Sequence, residues 1–176
     1  NKTKPWNILA VTFTNKAAKE MRTRLESLIG PSANSVWLGT FHSIAARILR
    51  ENAEVVGLNS NYTIITPDDQ IRLLKQIMID QDIDIKKFTP KAMSNIISSW
   101  KDKGFKPDDI NQSDNDFFAN GKAVNIYKTY QSRLVTLNSA DFGDLLLYNL
   151  TIFSEHLDIL QKYQSKILYF LVDEYQ

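Results

Sequence analysis

The sequence predicts an α/β fold in which a parallel sheet is interrupted by an all-helical insertion. Short apolar runs near both ends of the chain are typical of strands that are buried on both faces of a parallel sheet. A segment with apolar residues at helical spacing follows the first run, in the alternating order of α/β proteins. The middle of the chain, in contrast, contains repeated helix-start signals and almost no strand pattern.

The first segment, residues 1–54, contains two strand–helix pairs. Residues 8–11 form a short apolar run, and the helix predicted after it has an apolar stripe that ends before Gly30-Pro31. Residues 36–38 are a second candidate strand, and a further helix is predicted from about Ser43. This order predicts the first part of an α/β domain.

The second segment, residues 55–137, is predicted to be a helical insertion. Thr66-Pro67-Asp68-Asp69 combines a capping residue, a first-turn proline and an acid in the third helical position. Thr89-Pro90 repeats the start signal, and a third helix is predicted over residues 117–137. Only residues 62–65 have any strand character.

The third segment, residues 138–176, returns to the first pattern. Helices are predicted over residues 141–153 and 155–163. The apolar run over residues 167–172 then leads directly into Asp173-Glu174, which predicts a central, buried strand that ends in two carboxylates.

Composition excludes several kinds of site. The chain has no cysteine, so disulfides and thiolate metal sites are absent, and its two histidines are too far apart in sequence to indicate a zinc site. No apolar run approaches the length of a membrane span. Residues 1–50 contain eight basic and two acidic residues, and the remainder contains 13 basic and 18 acidic residues. This asymmetry is a weak indication of polyanion binding, because solvated helix faces explain such a split at least as often.

The pair Asp173-Glu174 is the first candidate site. Ligands of open α/β sheets bind at the carboxyl ends of the strands, where this pair is predicted to lie. Nucleotide hydrolysis uses one carboxylate to hold Mg²⁺ and another to activate the attacking water. An ordinary turn or the start of a helix is the alternative interpretation.

Two Thr-Phe clusters are the second and third candidates. Thr12-Phe13-Thr14-Asn15 and Thr40-Phe41-His42-Ser43 each follow a predicted strand. Hydroxyls, amides and helix N-termini bind phosphate, and an exposed aromatic ring can stack on an unpaired base. The alternative for each cluster is a helix cap, with Phe13 in the core and His42 as a capping or core histidine.

Together the clusters resemble the UvrD/PcrA/Rep group of superfamily 1 DNA helicases. The resemblance covers the whole chain, in the order and approximate spacing of that family. It depends on four segments: ILAVTFTNKAAKEM at 8–21, TFHS at 40–43, DFGDLL at 141–146 and DEYQ at 173–176. It implies part of a RecA-like P-loop motor domain from an ATP- and Mg²⁺-dependent 3′-to-5′ DNA helicase of repair or replication in the bacterial cytoplasm. Single-stranded DNA and single-strand/duplex junctions are the implied partners.

The resemblance also implies residue roles. Asp173 would hold Mg²⁺, Glu174 would be the general base, and Gln176 would couple the nucleotide state to DNA binding. The implied contacts to single-stranded DNA are Thr12, Phe13, Asn15, Thr40 and His42. The insertion would correspond to an accessory subdomain near the duplex. The only candidate contacts there are Trp100, Lys101, Lys103, Phe105 and Lys106, with a solvated turn as the alternative.

A phosphate-binding loop is missing from these residues. The only Gly-Lys pair, Gly121-Lys122, lacks the pattern G-x-x-x-x-G-K-[ST]. The resemblance places that loop before Asn1, and the second motor domain after Gln176. We therefore expect the chain alone to lack ATPase activity. The motor part of a helicase–nuclease and a non-catalytic helical interaction module are the alternative functions.

Overall fold

The computed structural model describes residues 3–111 and 118–173, which fold into two compact units. One unit consists of Asn1–Glu51 and Thr151–Gln176, and the other of Asn52–Leu150. The strands are β1 (Ile8–Thr12), β2 (Trp37–Thr40), β3 (Thr63–Ile64), β4 (Ser139–Ala140) and β5 (Tyr169–Val172). The helices are α1 (Asn15–Ile29), α2 (Phe41–Glu51), α3 (Pro67–Asp80), α4 (Pro90–Asp102), α5 (Ala123–Thr136), α6 (Phe142–Glu155) and α7 (Leu157–Lys166). The predicted mixed α/β class with parallel strands is confirmed.

The first unit is a three-stranded parallel sheet with helices on both faces. Its strand order is β2-β1-β5. Alternate residues of β1 point to opposite faces, so that Leu9 and Val11 belong to one apolar core and Ala10 to another. Helices α2 and α7 cover the first core, while α1 covers the second through Met21 and Leu25. The sheet is therefore packed between two helical layers around its central strand, β1.

Strand β5 differs from its prediction. The apolar run predicted a central, buried strand, but among the described residues β5 pairs only with β1 and lies at the edge of the sheet. Phe170 is 59% exposed and Leu171 is 57% exposed. The prediction of burial was wrong for the described sheet because an apolar run does not reveal how many neighbours a strand has.

The second unit is mainly helical. Helices α3, α4 and α5 surround one apolar core, in which Trp100 stacks on Tyr127 with ring centroids 5.7 Å apart. Both predicted start signals are helix caps, because Thr66 and Thr89 each accept a backbone hydrogen bond from the third residue of their helix. The short strands β3 and β4 form a parallel pair, and β3 falls within the weak strand pattern at 62–65.

The third predicted helix of this unit begins later than expected. Helix α5 starts at Ala123, after a short 3₁₀ turn over Ala119–Gly121. The start of the predicted span, Phe117, lies outside the described residues. Helices α6 and α7 agree closely with the predicted spans 141–153 and 155–163.

Candidate functional site

The carboxyl edge of the sheet brings the candidate motifs together. Thr12 is opposite Thr40 in the register of β1 and β2, and Val11 is opposite Val172 in the register of β1 and β5. The backbone N–H of Asp173 donates to the carbonyl of Val11 over 3.0 Å, which extends the pairing of β5 by one residue. Both Thr-Phe clusters and Asp173 therefore leave the sheet at the same edge.

The turn between β1 and α1 holds Phe13 out of the core. Thr12 is only 1% exposed, and its hydroxyl donates to the carbonyl of Thr14 over 3.0 Å. The Thr14 hydroxyl accepts from the backbone N–H of Ala17 over 3.1 Å, so Thr14 is the N-cap of α1. With both threonines engaged in the turn, the Phe13 ring is left 60% exposed. The core alternative for Phe13 is thereby ruled out.

The turn between β2 and α2 is tighter, because α2 begins directly after the strand. The hydroxyl of Thr40 accepts from the backbone N–H of Ser43 over 3.2 Å, and the Ser43 hydroxyl donates to the carbonyl of Thr40 over 2.9 Å. A Cβ atom on Gly39 would lie 2.3 Å from the Ser43 hydroxyl oxygen, so a larger residue there would displace that hydroxyl from its hydrogen bond to Thr40. His42 is exposed in the first turn of the helix.

Phe41, which sequence reasoning did not single out, contacts Phe13. The two ring centroids are 5.2 Å apart and the ring planes are inclined by 52°. Phe41 is partly buried and packs against the apolar core that contains Leu9 and Val11. The matching Thr-Phe pairs at the ends of two strands were the signal that could have predicted this contact.

The starts of α1 and α2 at this edge are electrostatically suited to an anion. The first turns of α1 and α2 contain no acidic residue, and a helix N-terminus has a partial positive charge and free N–H groups. Asn15 and Lys16 are exposed in the first turn of α1, and Lys19 is exposed one turn later. Arg22 is less available, because its guanidinium donates to the carbonyl of Leu38 over 3.0 Å.

Of the predicted nucleotide-site residues, only Asp173 lies within the described part of the chain. It is exposed at the bend after β5, a position that suits a carboxylate ligand shared with phosphate oxygens and water, as Mg²⁺ prefers. Glu174 and Gln176 lie outside the described residues. No group of three His, Cys, Asp or Glu side chains that could hold a metal ion occurs within residues 3–111 and 118–173.

The predicted duplex contact is wrong for two of its five members. Lys101 is 3% exposed and Trp100 is 7% exposed, so neither presents a surface to DNA. The Lys101 ammonium lies 2.7 Å from Asp141 Oδ2 and 2.7 Å from Asp144 Oδ1. The physical reason is that a buried charge needs partners, and these partners lie about forty residues further along the chain. Lys103 and Phe105 are exposed.

The DFGDLL segment is therefore an internal ion cluster in the second unit. Asp141 accepts from the backbone N–H of Asp144 over 2.9 Å, and Asp144 accepts from that of Asp141 over 3.0 Å, which caps the start of α6 reciprocally. Tyr130 donates to Asp141 over 2.8 Å, and Gln131 donates to Asp144 over 2.8 Å. The spacing of the two aspartates, three residues apart, was the sequence signal for this cap.

The cluster moves the pKa values of its carboxyls in opposite directions. Burial disfavours ionisation of Asp141, but the Lys101 ammonium and several hydrogen bonds outweigh it and hold the pKa of Asp141 below its ordinary value. Burial raises the pKa of Asp144; Lys101 opposes this rise, and the Asp141 carboxylate adds to it. Burial and the Asp141 carboxylate also raise the pKa of the Tyr130 hydroxyl. The two carboxyls that share one ammonium therefore differ in pKa: that of Asp141 is lowered and that of Asp144 is raised.

Comparisons with known proteins identify the family to which this sequence is similar. The profile of the UvrD/REP helicase N-terminal domain matches residues 1–176. The chain is 50% identical to a probable DNA helicase II homolog of Rickettsia felis, over 100% of the chain and 27% of that protein. It is 51% identical to the DNA helicase II of Rickettsia typhi, over 98% of the chain and 26% of that protein. It is 42% identical to the ATP-dependent DNA helicase PcrA of Staphylococcus epidermidis, over 98% of the chain and 24% of that protein.

The chain spans about a quarter of the length of the curated relatives that it matches. Among its described helices, none is both long and apolar enough to cross a membrane. A match across all 176 residues is not explained by a helical interaction module whose Asp-Glu ending is coincidental. The chain therefore belongs to the UvrD/REP helicase family, within its N-terminal domain.

Proposed function

We propose that this chain is the DNA-gripping part of an ATP-dependent 3′-to-5′ DNA helicase, and that single-stranded DNA crosses the carboxyl edge of the sheet. The observation that carries the proposal is the exposed Phe13 ring, held between the N-termini of α1 and α2 at the same edge as Asp173. An aromatic ring beside two sources of N–H groups combines base stacking with phosphate binding.

The residues of this edge have different tasks in the proposal. Phe13 stacks on a base, while the exposed Asn15 and His42 contact the phosphate backbone. Thr12 and Thr40 already use their hydroxyls within the turns. They contribute by fixing the backbone that presents these side chains.

The acidic end of β5 belongs to the nucleotide site in this proposal. Mg²⁺ bound with ATP supplies charge neutralisation at the transferred phosphate. Asp173 provides one oxygen ligand from the edge of the sheet, Glu174 accepts the proton of the attacking water, and Gln176 couples the nucleotide state to the DNA-binding edge. In this proposal the first unit is part of a RecA-like motor domain. The whole protein acts in repair or replication in the bacterial cytoplasm.

In this proposal the phosphate-binding loop and the second motor domain lie outside these residues, and the accessory subdomain lies within them. The phosphate-binding loop and a second motor domain complete the ATP site, and the unit Asn52–Leu150 is the accessory subdomain that meets the junction between single strand and duplex. Because residues 1–176 contain no G-x-x-x-x-G-K-[ST] pattern, we expect the isolated chain to hydrolyse no ATP, with or without DNA. A DNA-stimulated phosphate release by the purified chain would contradict this division of labour.

A binding measurement tests the DNA-gripping role. Fluorescence anisotropy of a labelled oligo-dT of about 16 nucleotides should show salt-dependent binding by the chain, weaker at about 200 mM than at about 50 mM salt. Phe13→Ala should weaken this binding about tenfold, as expected for one lost stacked base. Trp6→Ala, which removes an exposed ring before β1, at the opposite end of that strand from Phe13, is the control and should change little. Equal effects of the two variants would overturn the assignment of this edge.

A further inference from the structure

We infer that Phe41 is a positioning residue for Phe13, whose ring it holds in the orientation that stacks on a base. This inference rests on the proposed function, in which Phe13 stacks on a base. It assigns a role to a ring that is itself only partly exposed. The two ring centroids are 5.2 Å apart and the ring planes are inclined by 52°.

The sheet register brings the rings together. Because Thr12 and Thr40 are opposite each other in parallel strands, the residues that follow them leave the sheet side by side. The two strands then continue into different helices, so the ring contact joins the turn before α1 to the start of α2. An inclined arrangement at this distance is a favourable geometry for an aromatic pair.

The two rings differ in how firmly they are anchored. Phe41 packs against the core that contains Leu9, Val11 and Ile44, and its backbone is fixed by the hydrogen bonds between Thr40 and Ser43. Phe13 is 60% exposed and lies in neither of the two described cores that flank the sheet. The described support of the Phe13 ring is therefore the Phe41 ring.

Such support matters for binding because ordering a free side chain costs conformational entropy. A ring that is already held in its binding orientation has less freedom to lose when a base stacks on it. Because the Phe41 ring is packed against the core, its contact with Phe13 restricts the motion of the exposed ring. Phe41 strengthens DNA binding through Phe13 rather than by touching the DNA itself.

A double-mutant cycle on oligo-dT affinity tests the inference. Phe13→Leu should weaken binding about tenfold, and Phe41→Leu, which keeps an apolar side chain in the core, should weaken it about threefold, the size of an aromatic pair. The double variant should bind no more weakly than Phe13→Leu alone, because Phe41 acts only through Phe13. Phe41→Tyr keeps the ring and should restore affinity to near that of the unaltered chain.

Each outcome separates a different claim. If Phe13→Leu binds normally, the proposed DNA-gripping role of this edge fails. If Phe13→Leu weakens binding but Phe41→Leu does not, or if the two losses multiply in the double variant, the positioning role alone fails. If circular dichroism shows that Phe41→Leu is unfolded, Phe41→Tyr is the deciding variant. It should fold and bind oligo-dT with the salt dependence of the unaltered chain. A loss of affinity in this variant would overturn the inference.

Discussion

At the scale of single residues, the least expected feature is an ammonium group buried between two carboxylates. Lys101, Asp141 and Asp144 each have side chains at most 5% exposed. Charges this deeply buried are tolerated because each is hydrogen-bonded, and removing one partner leaves the others without compensation. The cluster therefore links the end of α4 to the start of α6 through interactions that are costly to break singly.

Lys101→Met is expected to destabilise the chain strongly. The methionine fills a similar volume but leaves Asp141 and Asp144 as two neighbouring buried carboxylates without a cation, and the free energy of unfolding should fall by about 3–5 kcal/mol. Urea denaturation followed by circular dichroism measures the change. Lys103→Met, which alters an exposed lysine two residues away, should stay within about 0.5 kcal/mol. Similar small effects of both substitutions would show that the cluster contributes little to stability.

Asp144 should make stability depend on pH in an unusual direction. Its folded-state pKa is raised, chiefly by burial, above an unfolded value of about 3.9. The folded chain therefore binds this proton more tightly than the unfolded chain does, and Asp144 raises the free energy of unfolding as pH falls from the folded-state pKa towards about 4. Asp141, whose pKa is lowered, loses its contribution only as pH falls below about 4.

The test compares the chain with Asp144→Asn, which cannot take up that proton. The unfolding free energy of the unaltered chain minus that of Asp144→Asn should increase as pH falls from 7 to about 4. Asp102→Asn removes one exposed carboxylate of α4 and is the charge-matched control, which should retain the acid stabilisation that depends on Asp144. A difference for Asp144→Asn that shrinks on acidification would reverse the assigned direction.

At the scale of secondary-structure elements, local signals predicted the helices well and the pairing of strands poorly. The Thr-Pro starts of α3 and α4 were predicted because a cap involves residues only three positions apart. The pairing of β3 with β4 joins residues more than seventy positions apart, so no local pattern specifies it. The edge position of β5 was missed for the same reason.

The same distinction applies to the candidate site. The carboxyl-edge position of the Thr-Phe clusters followed from strand–helix order alone, whereas the burial of Lys101 depended on carboxylates in another helix. Three lysines within six residues, Lys101, Lys103 and Lys106, have the pattern of an exposed basic turn. No local sequence pattern indicates which of the three lysines is buried.

The cap of α3 provides a prediction at this scale. Thr66 and Asp69 form a reciprocal capping box, in which the Thr66 hydroxyl accepts from the backbone N–H of Asp69. Thr66→Ala removes that acceptor and should lower the free energy of unfolding by about 1 kcal/mol. Thr136→Ala, in the exposed last turn of α5, is the matched control, because alanine suits a helix at least as well there. Urea denaturation measures the free energy of unfolding of both variants. If Thr66→Ala were as stable as Thr136→Ala, the cap would contribute nothing to stability.

At the scale of the whole molecule, the chain contains separate apolar cores in its two units. The cores beneath and above the sheet are formed within Asn1–Glu51 and Thr151–Gln176, whereas the core among α3, α4 and α5 is formed within Asn52–Leu150. A unit with its own core can open without disrupting the other. We therefore expect that a change in the packing of one unit can leave the packing of the other unit intact.

Hydrogen exchange measured by mass spectrometry on the intact chain tests this independence. Lys101→Met should accelerate exchange in peptides from α3, α4 and α5, while peptides from β1 and β2 should keep their unaltered rates. Ile48→Ala, which opens a cavity in the core under the sheet, should produce the opposite pattern. The two variants are controls for each other, because each destabilises one core and leaves the other's residues unchanged. Faster exchange throughout the chain in both variants would mean that the two units unfold as one cooperative body. The separate cores would then not make the stabilities of the two units independent.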